Sequence, residues 1–259
     1  MNKRFKIYQI VFSIALFQLC CSLQSAEPQR MSSSLSVVEK ASGSTVKGTI
    51  NGLRNGGNIY LHYDIAGVEK KVKTILKTGS FSFNVEVPHP CVAQIAFDNT
   101  GGSEISFEFV LEKGDIILTG EIERFRPAIV TGTASNNEVN AFYNEPDVRR
   151  MIDQIDQLET LQRKLELSKA KSDKIDAIGM QCLDKMDEWG NRSFRYVKEH
   201  PHSYASVFLI SQHMALNSTP AEVVWVTCKN LDKELLAHSK AGMAIGNKLD
   251  ELRKSGKYK

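Results

Sequence analysis

Beyond residue 21 this chain of 259 residues has no apolar run approaching the roughly 20 residues that a bilayer-spanning helix needs. It also has no Cys-x-x-Cys pair, no Gly-rich phosphate loop, no dinucleotide fingerprint and no paired acids in a glycosidase-like setting. A basic excess is missing as well. Lys3, Arg4 and Lys6 supply the whole formal charge of +3, and after residue 26 bases and acids balance. A nucleic-acid binder needs a basic stripe to displace counterions from phosphates, so DNA and RNA are not expected as partners. Anionic lipid is excluded by the same balance, which leaves a lipid anchor as the route to a membrane. Cysteine is scarce, and two of the five, Cys20 and Cys21, lie in the first 26 residues.

Those first residues carry a basic start, an apolar run from Ile7 to about Cys21, and a polar, small-residue stretch ending at Ala26. This is the pattern of a secretory signal peptide over 1–26, and Gln9 and Gln18 argue against a permanent anchor. The expected location is outside the cytoplasm, in the periplasm or attached to the outer membrane of a Gram-negative bacterium. Cys20 and Cys21 are candidate lipidation sites, although Leu19 or Cys20 stands where a lipoprotein signal prefers a small residue. Cys91, Cys182 and Cys228 then remain, an odd number in an oxidising compartment. A Cys182 to Cys228 disulfide is one arrangement; small buried hydrophobes on helical faces is the other.

Residues 27–43 are Ser-rich and without period, and read as a flexible linker. From 44 to 136 the period is two: Phe81, Phe83, Val85 and Val87 alternate with Ser80, Ser82, Asn84 and Glu86, and Ile105, Phe107, Phe109 and Leu111 repeat the pattern. Further strands are expected near 45–50, 59–63, 72–76, 92–97, 115–119 and 128–131. Seven or eight short strands with tight turns predict an antiparallel sandwich or barrel.

The period then becomes helical over 137–255, with a basic tail at 256–259. One amphipathic helix follows Pro146, with Val148, Met151, Ile152, Ile155, Leu158 and Leu165 on one face. A second spans about Ser172 to Glu199, expected to bury Ile175, Ile178, Cys182, Met186, Trp189 and Val197. A third covers Tyr204 to Ala215. Thr219-Pro220-Ala221-Glu222 reads as a capping box opening a fourth, whose stripe is Val224, Cys228, Leu231 and Leu235. A last helix lies near Gly242 to Arg253. The fold class expected is α+β, a β-sandwich or barrel domain followed by a helical domain of four or five helices.

Several stretches, in order, carry a resemblance. They are Val46-Lys47-Gly48-Thr49-Ile50, Gly79-Ser80-Phe81-Ser82-Phe83, Leu111-Glu112-Lys113-Gly114-Asp115-Ile116 and Val130-Thr131-Gly132-Thr133-Ala134-Ser135-Asn136, followed by His200-Pro201-His202-Ser203-Tyr204 and Ser239-Lys240-Ala241-Gly242. Over about 45 to 255 the chain resembles the uncharacterised β domain, and the segment after it, that precede thioredoxin-like domains of the AhpC/TSA and TlpA/ResA type in bacterial envelopes. The resemblance implies an envelope location, a strand-then-helix layout and a partner such as a thioredoxin-like oxidoreductase. The redox Cys pair of those proteins has no counterpart here, so no catalytic residue carries over.

Other constellations fail on chemistry. Lys77-Thr78-Gly79 and Ser168-Lys169-Ala170-Lys171 stand in the wrong order for a serine enzyme of the penicillin-recognising kind. His89-Pro90-Cys91 and His200-Pro201-His202 each offer two ligands where zinc needs three or four converging. No cofactor or metal is therefore expected. Cys91, near His89, is the candidate reactive thiol, set against a plain inward-facing strand residue. The sequence thus predicts a non-catalytic exported accessory or binding module. The alternatives are an adhesive module that stacks a glycan or peptide on Tyr60 or Phe125, and a thiol-redox protein using Cys91 or a redox domain supplied in trans.

Overall fold

The computed structural model describes residues 43–52, 55–97, 105–121 and 128–258. Alternation of apolar and polar side chains builds eight strands: β1 (Ser44–Asn51), β2 (Asn58–Ile65), β3 (Val68–Ile75), β4 (Ser80–Val85), β5 (Cys91–Phe97), β6 (Ile105–Leu111), β7 (Gly114–Glu121) and β8 (Ile129–Thr131). They form two four-stranded sheets, ordered β4-β1-β7-β8 and β3-β2-β5-β6. Val46 and Ile50 of β1, Phe81 and Phe83 of β4, and Ile116 and Leu118 of β7 face Ile59, Leu61, Ile95 and Phe109 of the other sheet. A period of two can do this only as a sandwich with one face of each sheet inside. The barrel alternative does not occur.

All pairings are antiparallel except β1 with β7, which run parallel from Ser44 opposite Gly114 to Asn51 opposite Glu121. Alternation reports which residues are buried but not the direction of a neighbour, so the parallel pair was invisible in the sequence. The two residues between β6 and β7 carry the chain from one sheet to the other, and the Ser44 hydroxyl donates to the Glu112 carbonyl at that corner, 2.8 Å away.

Seven helices follow among the described residues: α1 (Ala134–Tyr143), α2 (Pro146–Leu167), α3 (Ser172–Glu199), α4 (Tyr204–His213), α5 (Ala221–Cys228), α6 (Lys233–Ala237) and α7 (Lys240–Lys254). Their apolar faces share a second core, to which the sandwich contributes Val110 of β6. Two helices exceed the expected number. α1 is short and weakly amphipathic, and Leu231 and Leu235 lie beyond the end of α5 rather than within it. The capping box does not form: Pro220 is the N-cap of α5, with no side-chain hydrogen bond. Of the α3 stripe, Cys182, Trp189 and Val197 are buried while Ile175, Ile178 and Met186 are half-buried; Met186 packs against the helical core, and Ile175 and Ile178 lie outside it.

Two polar knots hold sandwich and helices together. The buried Asp64 carboxylate at the β2–β3 turn accepts from the backbone N–H groups of Gly67 (3.1 Å) and Lys240 (2.9 Å), the latter at the first turn of α7. Ser239, the α7 N-cap, accepts from Gly242 N–H and bonds the Tyr204 hydroxyl at 2.6 Å. The second knot docks α1. Asn136, wholly buried, accepts from Val110 N–H (3.1 Å) and donates to Val110 O (2.7 Å) and Thr133 Oγ1 (2.8 Å). Its amide thereby replaces the strand that edge β6 lacks. Ser135 gives its N–H and hydroxyl to the Glu112 carboxylate, both at 2.8 Å. Gly132, at φ 104°, leaves no room for a side chain, since a Cβ there would lie 2.0 Å from the Asp115 carbonyl oxygen.

Candidate binding cleft between sandwich and helices

The docking of α1 leaves a cavity of about 370 Å³ between the ends of three strands and two helices. Thr49 and Asn51 of β1, Thr119, Gly120 and Glu121 of β7, and Ala128 and Ile129 form one wall. Asn140 and Tyr143 of α1, Asn144, and Arg149 and Ile152 of α2 form the other. Asn136, Asn140 and Asn144 recur every four residues, so one helical line runs from the buried dock to the rim. Gly120 turns its bare Cα toward the sandwich core, where a Cβ would press on Ile50 and Phe107 at 3.1 Å each.

Donors and acceptors on the rim are held in place. Asn144 donates to Asn140 O (2.8 Å) and Oδ1 (3.2 Å), and its own Oδ1 accepts from Arg149 Nη1 at 3.1 Å. Arg149 Nε lies 3.8 Å from Asp153, so the guanidinium is fixed from two sides yet half exposed. Amides, hydroxyls and one cation around an aromatic ring suit recognition of a polar ligand with some apolar body.

Tyr143 connects the cleft to a second cluster. Its ring meets Trp189 edge-on, centroids 5.8 Å apart, and Trp189 in turn meets His213 at 4.4 Å. Burial, with the nearby Glu108 charge, raises the Tyr143 phenol. Burial also raises the Glu108 carboxyl, partly offset by a hydrogen bond from Gln212. His213 is pushed down to about 4 by burial, so it is neutral at pH 7. Trp189 Nε1 and His213 Nε2 are buried with no hydrogen-bond partner among the described residues.

The sequence-expected site residues lie elsewhere. Cys91 is 1% exposed inside the sandwich, and burial pushes its thiol up to about 12, with the Asp64 charge adding to the rise. That is opposite to the shift a nucleophilic thiol needs. His89 stacks on His238 at 3.7 Å instead of activating it. Cys91, Cys182 and Cys228 are all free and buried, so the Cys182 to Cys228 bridge does not form. Burial raises the Cys182 thiol to about 11 and that of Cys228 to about 12. Tyr60 is half-buried, with the Lys71 ammonium 4.1 Å from its ring centroid. Cys20, Cys21 and Phe125 lie outside the described residues.

Lys77-Thr78-Gly79 is the β3–β4 turn, and Ser168 caps α2. His200 stacks on Tyr196, and His202 is exposed beside Asp232. Among the described residues no three metal-ligating side chains converge, and no helix is long and apolar enough to cross a membrane. In the sequence Arg149 stands among interleaved acids and bases from Asp147 to Glu166, a pattern that by itself reads as a solvated face laced with weak ion pairs. The Asn spacing was the signal that could have marked the cleft.

A two-sheet sandwich joined to a helical layer defines the class of this protein. Residues 44–139 match the family described as Domain of unknown function (DUF4369). The match runs from β1 into α1, taking in the strand wall of the cleft and Asn136 but stopping before Tyr143 and Arg149. No curated protein and no solved structure matches the chain.

Proposed function

We propose that this protein is an exported, non-catalytic binding module of the bacterial envelope that holds a segment of a partner protein in the cleft beside Tyr143. The observation that carries the reading is the cleft itself: fixed amides, hydroxyls and the Arg149 guanidinium arranged around an aromatic wall. Export rests on the basic, apolar and small-residue pattern of residues 1–26. A thioredoxin-like oxidoreductase is the partner that the order of motifs along 45–255 favours, with any redox chemistry supplied by that partner. The burial of Cys91 and its raised thiol support a role without thiol turnover.

The test is affinity capture from envelope extract with the tagged protein, read by mass spectrometry beside a free-thiol count. A single partner should be recovered, and Arg149→Ala or Tyr143→Ala should cut its recovery at least tenfold while the fold persists. Robust turnover of a disulfide substrate by the purified protein would overturn the reading. Capture unaffected by both cleft variants would move the binding site elsewhere, and a glycan array would then decide whether Tyr60 serves a surface-adhesive role.

A further inference from the structure

Helices α2 and α3 form an antiparallel arm whose outer half is bare. No residue from 156 to 178 is buried, although Leu158, Leu165, Ile175 and Ile178 are half-exposed and Leu161 and Leu167 are 42% and 80% exposed. Leu158, Leu161 and Leu165 follow helical spacing, a seam that starts against the helical core at Leu158 and is open to solvent at Leu161. Two helices leave such a seam open on one side, whereas four close it.

Charge along the arm is strongly polarised. At the tip, residues 161–174, stand Arg163, Lys164, Lys169, Lys171 and Lys174 against Glu166 and Asp173. Nearer the body, residues 153–160 and 175–188 carry seven carboxylates against Lys185 alone. An arm with a basic tip and an acidic base is complementary to itself reversed. Two copies laid antiparallel about a two-fold axis set each tip against the other's base, and bring the two leucine seams together. A parallel pairing would oppose like charges at both ends.

We infer that the arm is a self-association surface, and that two copies of this chain join their α2–α3 arms as an antiparallel four-helix bundle. The inference is independent of the cleft reading, because the arm's outer half lies beyond Ile152, the last residue lining the cavity.

The purified full chain should be a dimer by sedimentation equilibrium, and dissociation should increase at least tenfold between 50 mM and 500 mM salt as screening weakens the tip-to-base attraction. Lys164→Glu/Lys171→Glu turns the tip from net positive to net negative, and Asp184→Lys/Asp187→Lys/Glu188→Lys leaves the base with four acids against four bases, so that it no longer attracts a basic tip. All five positions are exposed, so each variant should keep its far-ultraviolet circular dichroism. Each should be monomeric alone, and an equimolar mixture should recover a dimer. A monomeric parent chain, or a dimer indifferent to both reversals, would overturn the inference. So would reversed variants that stay folded and apart when mixed.

Discussion

At the scale of single residues, side chains with shifted or strained states set the measurable consequences. His213 has a folded pKa of about 4 against an ordinary value near 6.5, so the unfolded chain takes up its proton first as pH falls. Stability from this residue is intact above about pH 6.5 and is lost on the way to pH 4, by at most about 3 kcal/mol. Glu108 works in the opposite sense: its raised carboxyl favours the folded state at low pH, and that gain disappears as pH rises. His213→Phe keeps the ring against Trp189 and removes only the first effect. Urea midpoints at pH 7 and pH 4.5 should therefore converge in the variant relative to the parent. Lys169, at φ 52° after α2, occupies a left-handed position that suits glycine. Lys169→Gly should raise stability by about 0.5–1 kcal/mol in the same assay. None of this was legible in the sequence, because a single His or Lys carries no sign of its burial or its backbone region. The free cysteines were legible, because Cys182 and Cys228 fall on apolar helical faces whose spacing shows in the sequence.

Among the elements, sequence reading worked where a period extends over several residues and failed where one side chain replaces an element. Every strand expected from alternation is present, and α3 has the bounds expected from its stripe and Pro201. α1 escaped because its stability comes from Asn136 and Ser135 rather than from an apolar stripe. The test of that account is Asn136→Ala. It leaves the N–H and carbonyl of Val110 buried without partners, at about 1–3 kcal/mol each, so a loss of about 2–5 kcal/mol is expected from equilibrium unfolding. Because α1 also carries Asn140 and Tyr143, the substitution should weaken partner capture more than a core substitution of equal cost, such as Ile95→Val paired with Leu61→Val. The cleft was unreadable for a related reason: its two walls come from stretches separated by up to about a hundred residues, and only the Asn spacing on α1 is local.

For the molecule as a whole, sandwich and helices depend on one another through a few long-range bonds. Asp64 is the clearest case, since its carboxylate is buried at the hairpin turn and satisfied by an N–H of α7. Asp64→Ala should cost about 3 kcal/mol and should speed hydrogen exchange selectively at the start of α7 and in the β2–β3 hairpin. Uniform acceleration across both sheets would instead mean that the bond serves the sandwich alone. The same bond has a consequence for the order of events during synthesis. All eight strands have been made by Thr131, yet the group that satisfies Asp64 is residue 240. At roughly 5–20 residues per second, the ribosome needs on the order of 5–20 s to bridge that gap. A newly made sandwich therefore waits with its Asp64 carboxylate held by the Gly67 N–H alone, and its hairpin corner closes only when the last helix arrives.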